Sequence, residues 1–188
     1  MELATERLLL DALTLEDAPA LFGYRGDPDV WRYQNWRPES LAEVERFIRK
    51  QSALDAPVVG QWFQRAIRLR REGSLVGDLA FCLSEDGQAE FGITIAPPQQ
   101  GRGLAREAAT ALLGALFGTF GMHRVRASVD PRNLSSMALM RSLGLRQEAH
   151  MRECLKFRGE WVDDVIFALL AREWPINVAA DTADVATR

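Results

Sequence analysis

Gln100-Gly101-Arg102-Gly103-Leu104-Ala105 places two glycines and a cation at the start of an apolar helical pattern. The apolar extended run Phe91-Gly92-Ile93-Thr94-Ile95-Ala96 precedes it, and the pattern continues through Arg106, Glu107, Ala108 and Ala109 to Phe117. A strand, a glycine loop and a helix in that order aim unpaired backbone N–H groups, and the positive end of the helix dipole, at whatever lies ahead of the helix. Glycine lets an anion approach the main chain closely, and Arg102 adds positive charge. The chemistry offered is the cradling of a diphosphate. The loop is not of the form G-x-x-x-x-G-K-S/T, because no Lys-Ser or Lys-Thr follows the second glycine. Arg106 stands where G-x-G-x-x-G would place its third glycine. A glycine pair before a helix also marks an ordinary turn, so the loop alone does not decide the matter.

The rest of the chain bounds what such a loop serves. With 188 residues, 47% of them hydrophobic, the sequence suits one domain with a sizeable core, over 1–176, followed by a loose polar tail over 177–188. A net charge of −3 argues against a nucleic-acid partner. Arg65, Arg68, Arg70 and Arg71 fit a strand face turned to solvent. Cys82 and Cys154 form no C-x-x-C unit and read as buried free thiols of a reducing, cytoplasmic setting. The charged start (Glu2, Glu6, Arg7, Asp11) does not resemble a signal peptide, and no apolar run approaches the roughly 18 residues of a membrane span.

The elements that must position the loop are legible from periodicity. Arg7–Leu13 reads as a strand, Thr14-Leu15-Glu16-Asp17 as a cap opening a helix toward Tyr24, and Ser40-Leu41-Ala42-Glu43 as a capping box ahead of a stripe of Leu41, Val44, Phe47 and Ile48. Between them, 26–39 is too irregular for a core element and suits a substrate-side loop. Extended runs at 62–70, 75–83 and 89–96, separated by Glu72-Gly73 and Asp86-Gly87, predict an antiparallel meander. Pro97-Pro98 ends it. Leu104, Ala108, Leu112 and Leu116 share one face of the next helix, which Gly118 or Gly121 can end. The strand 123–129 then follows by a right-handed parallel crossover. A helix over 133–143 stops at Gly144, and 147–157 with 161–171 forms a closing hairpin around Arg158-Gly159-Glu160.

This order resembles the GNAT N-acetyltransferase superfamily over residues 7 to about 174. The most specific elements are Gln100-x-x-Gly103-x-Ala105 and Asn133-x-x-Ser136 leading to Leu143-Gly144-Leu145. Within the superfamily the chain is most similar to the RimJ/RimL-type branch, through Thr5-Glu6-Arg7-Leu8, Ala89-Glu90-Phe91-Gly92 and Gly159-Glu160-Trp161-Val162-Asp163. The resemblance implies an α/β fold: a largely antiparallel sheet with one splayed parallel pair, and helices on both faces. It implies acetyl-CoA between the strands 91–96 and 124–129. The pyrophosphate would lie on Gln100, Gly101, Arg102, Gly103, Leu104 and Ala105, and the pantetheine along Ile93, Thr94 and Ile95, with Asn133 and Ser136 opposite. An opened strand edge can pair with an amide-rich arm as with another strand.

Amine acetylation needs a base for the ammonium, a donor for the developing oxyanion and a proton source for the thiolate. Glu90 is the candidate base, acting directly or through water; a cross-strand ion pair explains it equally well. The oxyanion donor is expected to be a backbone N–H near Ile95. Many relatives use a tyrosine after the Asn-bearing helix begins, but here Met140 lies in that region and the tyrosines, Tyr24 and Tyr33, are both N-terminal. Ser136 is then the candidate hydroxyl beside the sulfur, although capping of the helical turn accounts for a serine there. His123, His150 and the pair Asp163-Asp164 read as structural. Trp31, Tyr33 and Trp36 could form an aromatic wall for an amine by cation–π contact, or simply pack.

The expected acceptor is a small-molecule amine or a protein N-terminus, with no nucleic acid, membrane or metal, and a homodimer is compatible with the resemblance. With no cysteine at either motif, direct attack in a ternary complex is expected. A non-catalytic acyl-CoA sensor or assembly module, and transfer of another acyl group such as succinyl, are the alternatives.

Overall fold

The computed structural model describes residues 1–174, so the expected tail at 177–188 lies outside the described residues. Its strands are β1 (Leu3–Ala4), β2 (Leu8–Asp11), β3 (Trp62–Leu69), β4 (Leu75–Leu83), β5 (Gln88–Ile95), β6 (Arg124–Val129), β7 (Arg146–Phe157) and β8 (Glu160–Leu170). The helices are α1 (Ala18–Arg25), α2 (Pro28–Trp31), α3 (Leu41–Ser52), α4 (Leu104–Gly118) and α5 (Leu134–Ser142). One sheet carries the strands in the order β1-β2-β3-β4-β5-β6-β8-β7. The turn glycines Gly73 and Gly87 sit at φ 70° and 75°, which suits the two hairpins of the meander.

Among the described residues, the pair β5–β6 is the one parallel contact, and it is short. Gln88, Ala89 and Glu90 pair with Arg124, Val125 and Arg126, and there the ladder stops. β5 stays paired with β4 as far as Ile95, and β6 with β8 along its full length. Each strand is held by its outer neighbour, so the two part beyond Glu90 and leave a slot.

Helices cover both faces. Leu104, Ala108, Leu112 and Leu116 of α4, all at most 2% exposed, join Met137 and Met140 of α5 over Phe81, Phe91 and Phe167. On the other face, Leu21 of α1 and Val44 and Ile48 of α3 pack on Leu13 and Ala66. Ser40 caps α3, the Glu43 N–H donating to Ser40 Oγ at 3.3 Å. The expected box is left half made, because the Glu43 carboxylate accepts from the Glu39 N–H and from Trp36 Nε1 instead of the Ser40 N–H.

Under α1 lies a buried polar cluster with no sequence signature. Asp78 of β4 is 0% exposed and accepts from Tyr24 Oη, from Nε and Nη2 of Arg25, and from Gln64 Nε2. Burial, then the Asp78 charge, pushes the Tyr24 phenol well above its ordinary range, so it stays a donor. A carboxylate here is tolerable because four donors surround it.

Several expectations need correction. Arg65 and Arg68 do not face solvent: Arg65 is 3% exposed and stacks 3.6 Å from the Phe63 ring, and Arg68 is held by Asp11 and Asp17. Helices cover both faces of this sheet, so neither face of β3 offers these arginines open water. Cys82 is half-buried and Cys154 exposed, because β7 is the outer edge of the sheet. The 26–39 segment contains the short helix α2, whose Val30 is 7% exposed.

Removing the carboxylate at position 78 strands the buried Arg25. Asp78→Ala is therefore expected to destabilise the fold by about 3–5 kcal/mol and Tyr24→Phe by about 1 kcal/mol, read from urea unfolding. Equal, small losses from both variants would contradict the cluster's role.

Candidate active site

The slot between β5 and β6 opens onto a cleft of about 590 Å³. Four walls form it: the β5 end, the glycine loop, the start of α5, and α2 with the turn that follows it. Their main-chain polarity follows from register. The Ala96 N–H donates to Val76 C=O, and the Ser84 N–H to Gln88 C=O, both at 2.9 Å. Backbone groups alternate sides along a strand, so even-numbered residues of β5 face β4, while Phe91, Ile93 and Ile95 face away from it. Thr94 is accordingly turned the other way from the expected one. Its carbonyl lies so close to Gly77 that any side chain there would collide with it, and what Thr94 offers the cleft is its side chain.

The loop meets the requirement for an anion. Gly101 and Gly103 have φ 73° and 76°, the left-handed conformation that turns successive N–H groups to one side. Among the described residues, no protein acceptor takes the N–H of any of residues 101–106, and Gly103, the α4 N-cap, provides no side-chain cap. A diphosphate supplies the acceptors that these donors lack. Gln100 acts differently: its Nε2 donates to the Ile95 carbonyl at 2.9 Å, tying loop to strand.

A clamp invisible in the motif holds this loop. Arg7 donates through Nη1 to the Arg102 carbonyl at 3.0 Å and through Nε to Glu107 Oε2 at 2.6 Å, and Thr5 Oγ1 donates to Glu107 Oε1 at 2.5 Å. Burial would raise the Glu107 carboxyl, but the bonds from Thr5 and Arg7 outweigh it and hold the group below its usual range. Thr5 and Arg7 had marked the branch resemblance; their physical work is to fasten the α4 N-terminus.

All the predicted cofactor residues except Arg102 line the cleft: Ile93, Thr94, Ile95, Gln100, Gly101, Gly103, Leu104, Ala105, Asn133 and Ser136. The Arg102 guanidinium instead bonds Gln99. Asn133 caps α5, its Oδ1 accepting the Ser136 N–H at 3.1 Å, which leaves the Ser136 hydroxyl to the cleft. Glu90 stands apart. Its carboxylate pairs with Arg126 at 2.9 Å on the last rung before the strands part.

The aromatic wall largely dissolves. Tyr33 lines the cleft, donating to the Arg132 carbonyl at 3.3 Å. Trp31 lies between the guanidinium groups of Arg37 and Arg158, and Trp36 packs 4.5 Å from Phe47 with its Nε1 donating to Glu43. Both tryptophans gain more by packing than by facing a wet groove. Met140, in the region where many relatives carry a tyrosine, is buried at 3% exposure. A second cavity, about 520 Å³ behind α4, lacks the glycine loop and the splayed strand.

Comparison with known proteins agrees with this geometry. The acetyltransferase (GNAT) domain profile matches residues 7–146. The chain belongs to the GNAT acetyltransferase family. It is 33% identical over 175 residues to the uncharacterized N-acetyltransferase p20 of Bacillus licheniformis, spanning 92% of this chain and 97% of that one. The crystal structure of a GNAT-family acetyltransferase from Bacillus anthracis superposes with a TM-score of 0.83 at 28% identity, covering 92% of this chain and all (100%) of the other. The [ribosomal protein uS5]-alanine N-acetyltransferase of Escherichia coli is 35% identical over 84 residues, 45% of this chain and 43% of that one. The GNAT chain is thus an acyltransferase, and GNAT acetyltransferases use acetyl-CoA.

Two outcomes follow for the loop. Gly103→Val forces a branched residue to positive φ beside the Arg7 guanidinium, 3.5 Å from the added Cβ, and is expected to weaken CoA binding at least about tenfold by calorimetry. Unchanged affinity would refute the cradle. The Glu107 contribution is present above the ordinary carboxyl value of 4.5 and lost as pH falls through its lowered one. Glu107→Gln should therefore lower the melting temperature at neutral pH while flattening its fall in acid; an acid limb as steep as the parent's would contradict the clamp.

Proposed function

We propose that this chain transfers the acetyl group of acetyl-CoA to a primary amine by direct attack in a ternary complex, as a RimJ/RimL-type member of its family. The observation that carries this reading is the unfinished β5–β6 ladder opening beside a run of unpartnered loop amides. Acetyl-CoA would bring the activated thioester. Residues 101–106 would hold its pyrophosphate, and the main chain of Ile93 and the N–H of Ile95 would meet the amide-rich arm, the Ile95 carbonyl being already engaged by Gln100. The Ile95 N–H is also the donor expected for the developing oxyanion.

A protein N-terminus or a small amine is the acceptor class. The partial likeness to an enzyme named for a ribosomal-protein alanine supports the first. The same reading carries the cytoplasmic setting and the homodimer; among the described residues no helix is long and apolar enough to cross a membrane.

Glu90 is assigned as the base that deprotonates the amine, directly or through water, because it ends the paired rungs where the slot begins. Ser136 is assigned as the hydroxyl that meets the sulfur. With tyrosine absent from α5, a hydrogen bond to the thiolate is the service a serine can give.

Thiol release from acetyl-CoA and from succinyl-CoA, with a panel of N-terminal peptides and small amines, tests the reading. Acetyl-CoA with at least one amine is expected to turn over. Binding without turnover would leave a sensor module. Glu90→Gln is expected to lower kcat by about 10²-fold or more with CoA affinity unchanged, whereas a purely structural ion pair would cost stability and leave kcat and its pH profile intact.

A further inference from the structure

The cluster beneath α1 does not end at Arg25. Arg25 Nη1 donates to Gln34 Oε1 at 2.8 Å, and Gln34 Nε2 donates to Thr94 Oγ1 at 3.1 Å. This chain of bonds has only one consistent polarity. Arginine has no acceptor, so the Gln34 carbonyl must face it and the Gln34 amide NH₂ must face Thr94. Thr94 Oγ1 then accepts, and its own proton is left for another partner. Among the described residues none takes it, although Thr94 is 7% exposed and both Thr94 and Gln34 line the cleft. Asp78 fixes the far end by holding Arg25 through Nε and Nη2.

We infer that the Thr94 hydroxyl is a specificity-determining donor reserved for a carbonyl oxygen of the molecule bound in the cleft, with its proton directed there by the Asp78–Arg25–Gln34 relay. The inference rests on the acyl-transfer reading of the same cleft. A buried hydroxyl whose proton has no partner gains most from a hydrogen-bond acceptor, because an unmet buried donor is costly. Carbonyl oxygens of this kind are carried by the amide and thioester groups of the acyl donor and by the peptide bonds of a protein acceptor. Asp78, Arg25 and Gln34 act through Thr94 and are positioning residues.

The test inverts the proton without changing the shape. In Gln34→Glu the carboxylate accepts from Arg25 and also from Thr94, which turns the Thr94 proton away from the cleft while the added ion pair keeps the loop in place. Thr94→Val removes the donor, Thr94→Ser restores it, and the double variant Gln34→Glu/Thr94→Val closes a cycle. In the full-length protein, both single changes are expected to lower kcat/KM about tenfold, the worth of one hydrogen bond, with the melting temperature of Gln34→Glu undiminished. The double variant should lose no more than either, since the two changes abolish the same contact. Thr94→Ser should recover most of the loss seen with Thr94→Val. A rise in the acyl-donor KM and in the CoA dissociation constant assigns the carbonyl to the donor; a rise confined to the acceptor KM assigns it to the acceptor. Parent-like kinetics and CoA affinity in Thr94→Val and Gln34→Glu, or a Thr94→Ser no better than Thr94→Val, would overturn the inference alone. A parent protein that binds no CoA would overturn the cleft assignment and the inference with it.

Discussion

Two neighbouring strands that cannot stay paired govern this molecule. β5 is committed to β4 as far as Ile95 and β6 to β8 along its length, so their mutual ladder ends at Glu90–Arg126. Main-chain groups removed from water need partners, and one is found internally, where Gln100 covers the Ile95 carbonyl. The others, the Phe91 carbonyl, both main-chain groups of Ile93 and the Ile95 N–H, face the slot, the Phe91 N–H being spent on the last rung with Arg126. Immediately beyond lie the left-handed glycines and the bare start of α4, so one continuous seam of unmet donors and acceptors runs from the sheet into the helix.

Such a seam is useful only if its walls are fixed, and two polar anchors fix them. On the α4 side, Thr5 and Arg7 fasten Glu107 and the Arg102 carbonyl, so the loop keeps its amides turned outward. On the other side, Asp78 gathers Tyr24, Arg25 and Gln64, and Arg25 hands the constraint to Gln34 at the cleft. Breaking a buried charge cluster is far costlier than losing a surface pair, so this wall is the stiffer one. Arg158, from the β7–β8 turn, adds a lighter tie by donating to the Trp31 carbonyl at 3.2 Å.

What the sequence made legible was whatever is local. The stripe of Leu104, Ala108, Leu112 and Leu116, the Ser40 cap, the Gly73 and Gly87 turns and the glycine loop each declare themselves within a few residues, and each stands where periodicity or turn chemistry put it. The cluster around Asp78 does not, because its other members lie 14 to 54 positions from Asp78 and none has a motif. Glu90 shows the same limit. Spacing placed it beside the slot, but its Arg126 partner comes from a strand beyond the crossover. Trp31 and Trp36 misled for a different reason: aromatic density is a sign of packing as much as of binding, and their partners Arg158 and Phe47 are remote or on another element. Thr94 sits in the strand that periodicity predicts, but alternation along β5 turns its main chain to β4, so only its side chain reaches the cleft.

Backbone amide resonances of a ¹⁵N-labelled sample, followed while CoA is added, report on the seam directly. Residues 101–106 together with Ile93 and Ile95 should shift and gain protection from hydrogen exchange, while even-numbered β5 residues such as Gly92 and Thr94, already bonded to β4, keep theirs unchanged. Saturating CoA that leaves the 101–106 amides unperturbed, or protection of those amides in the free protein equal to that of the β4–β5 ladder, would contradict the account.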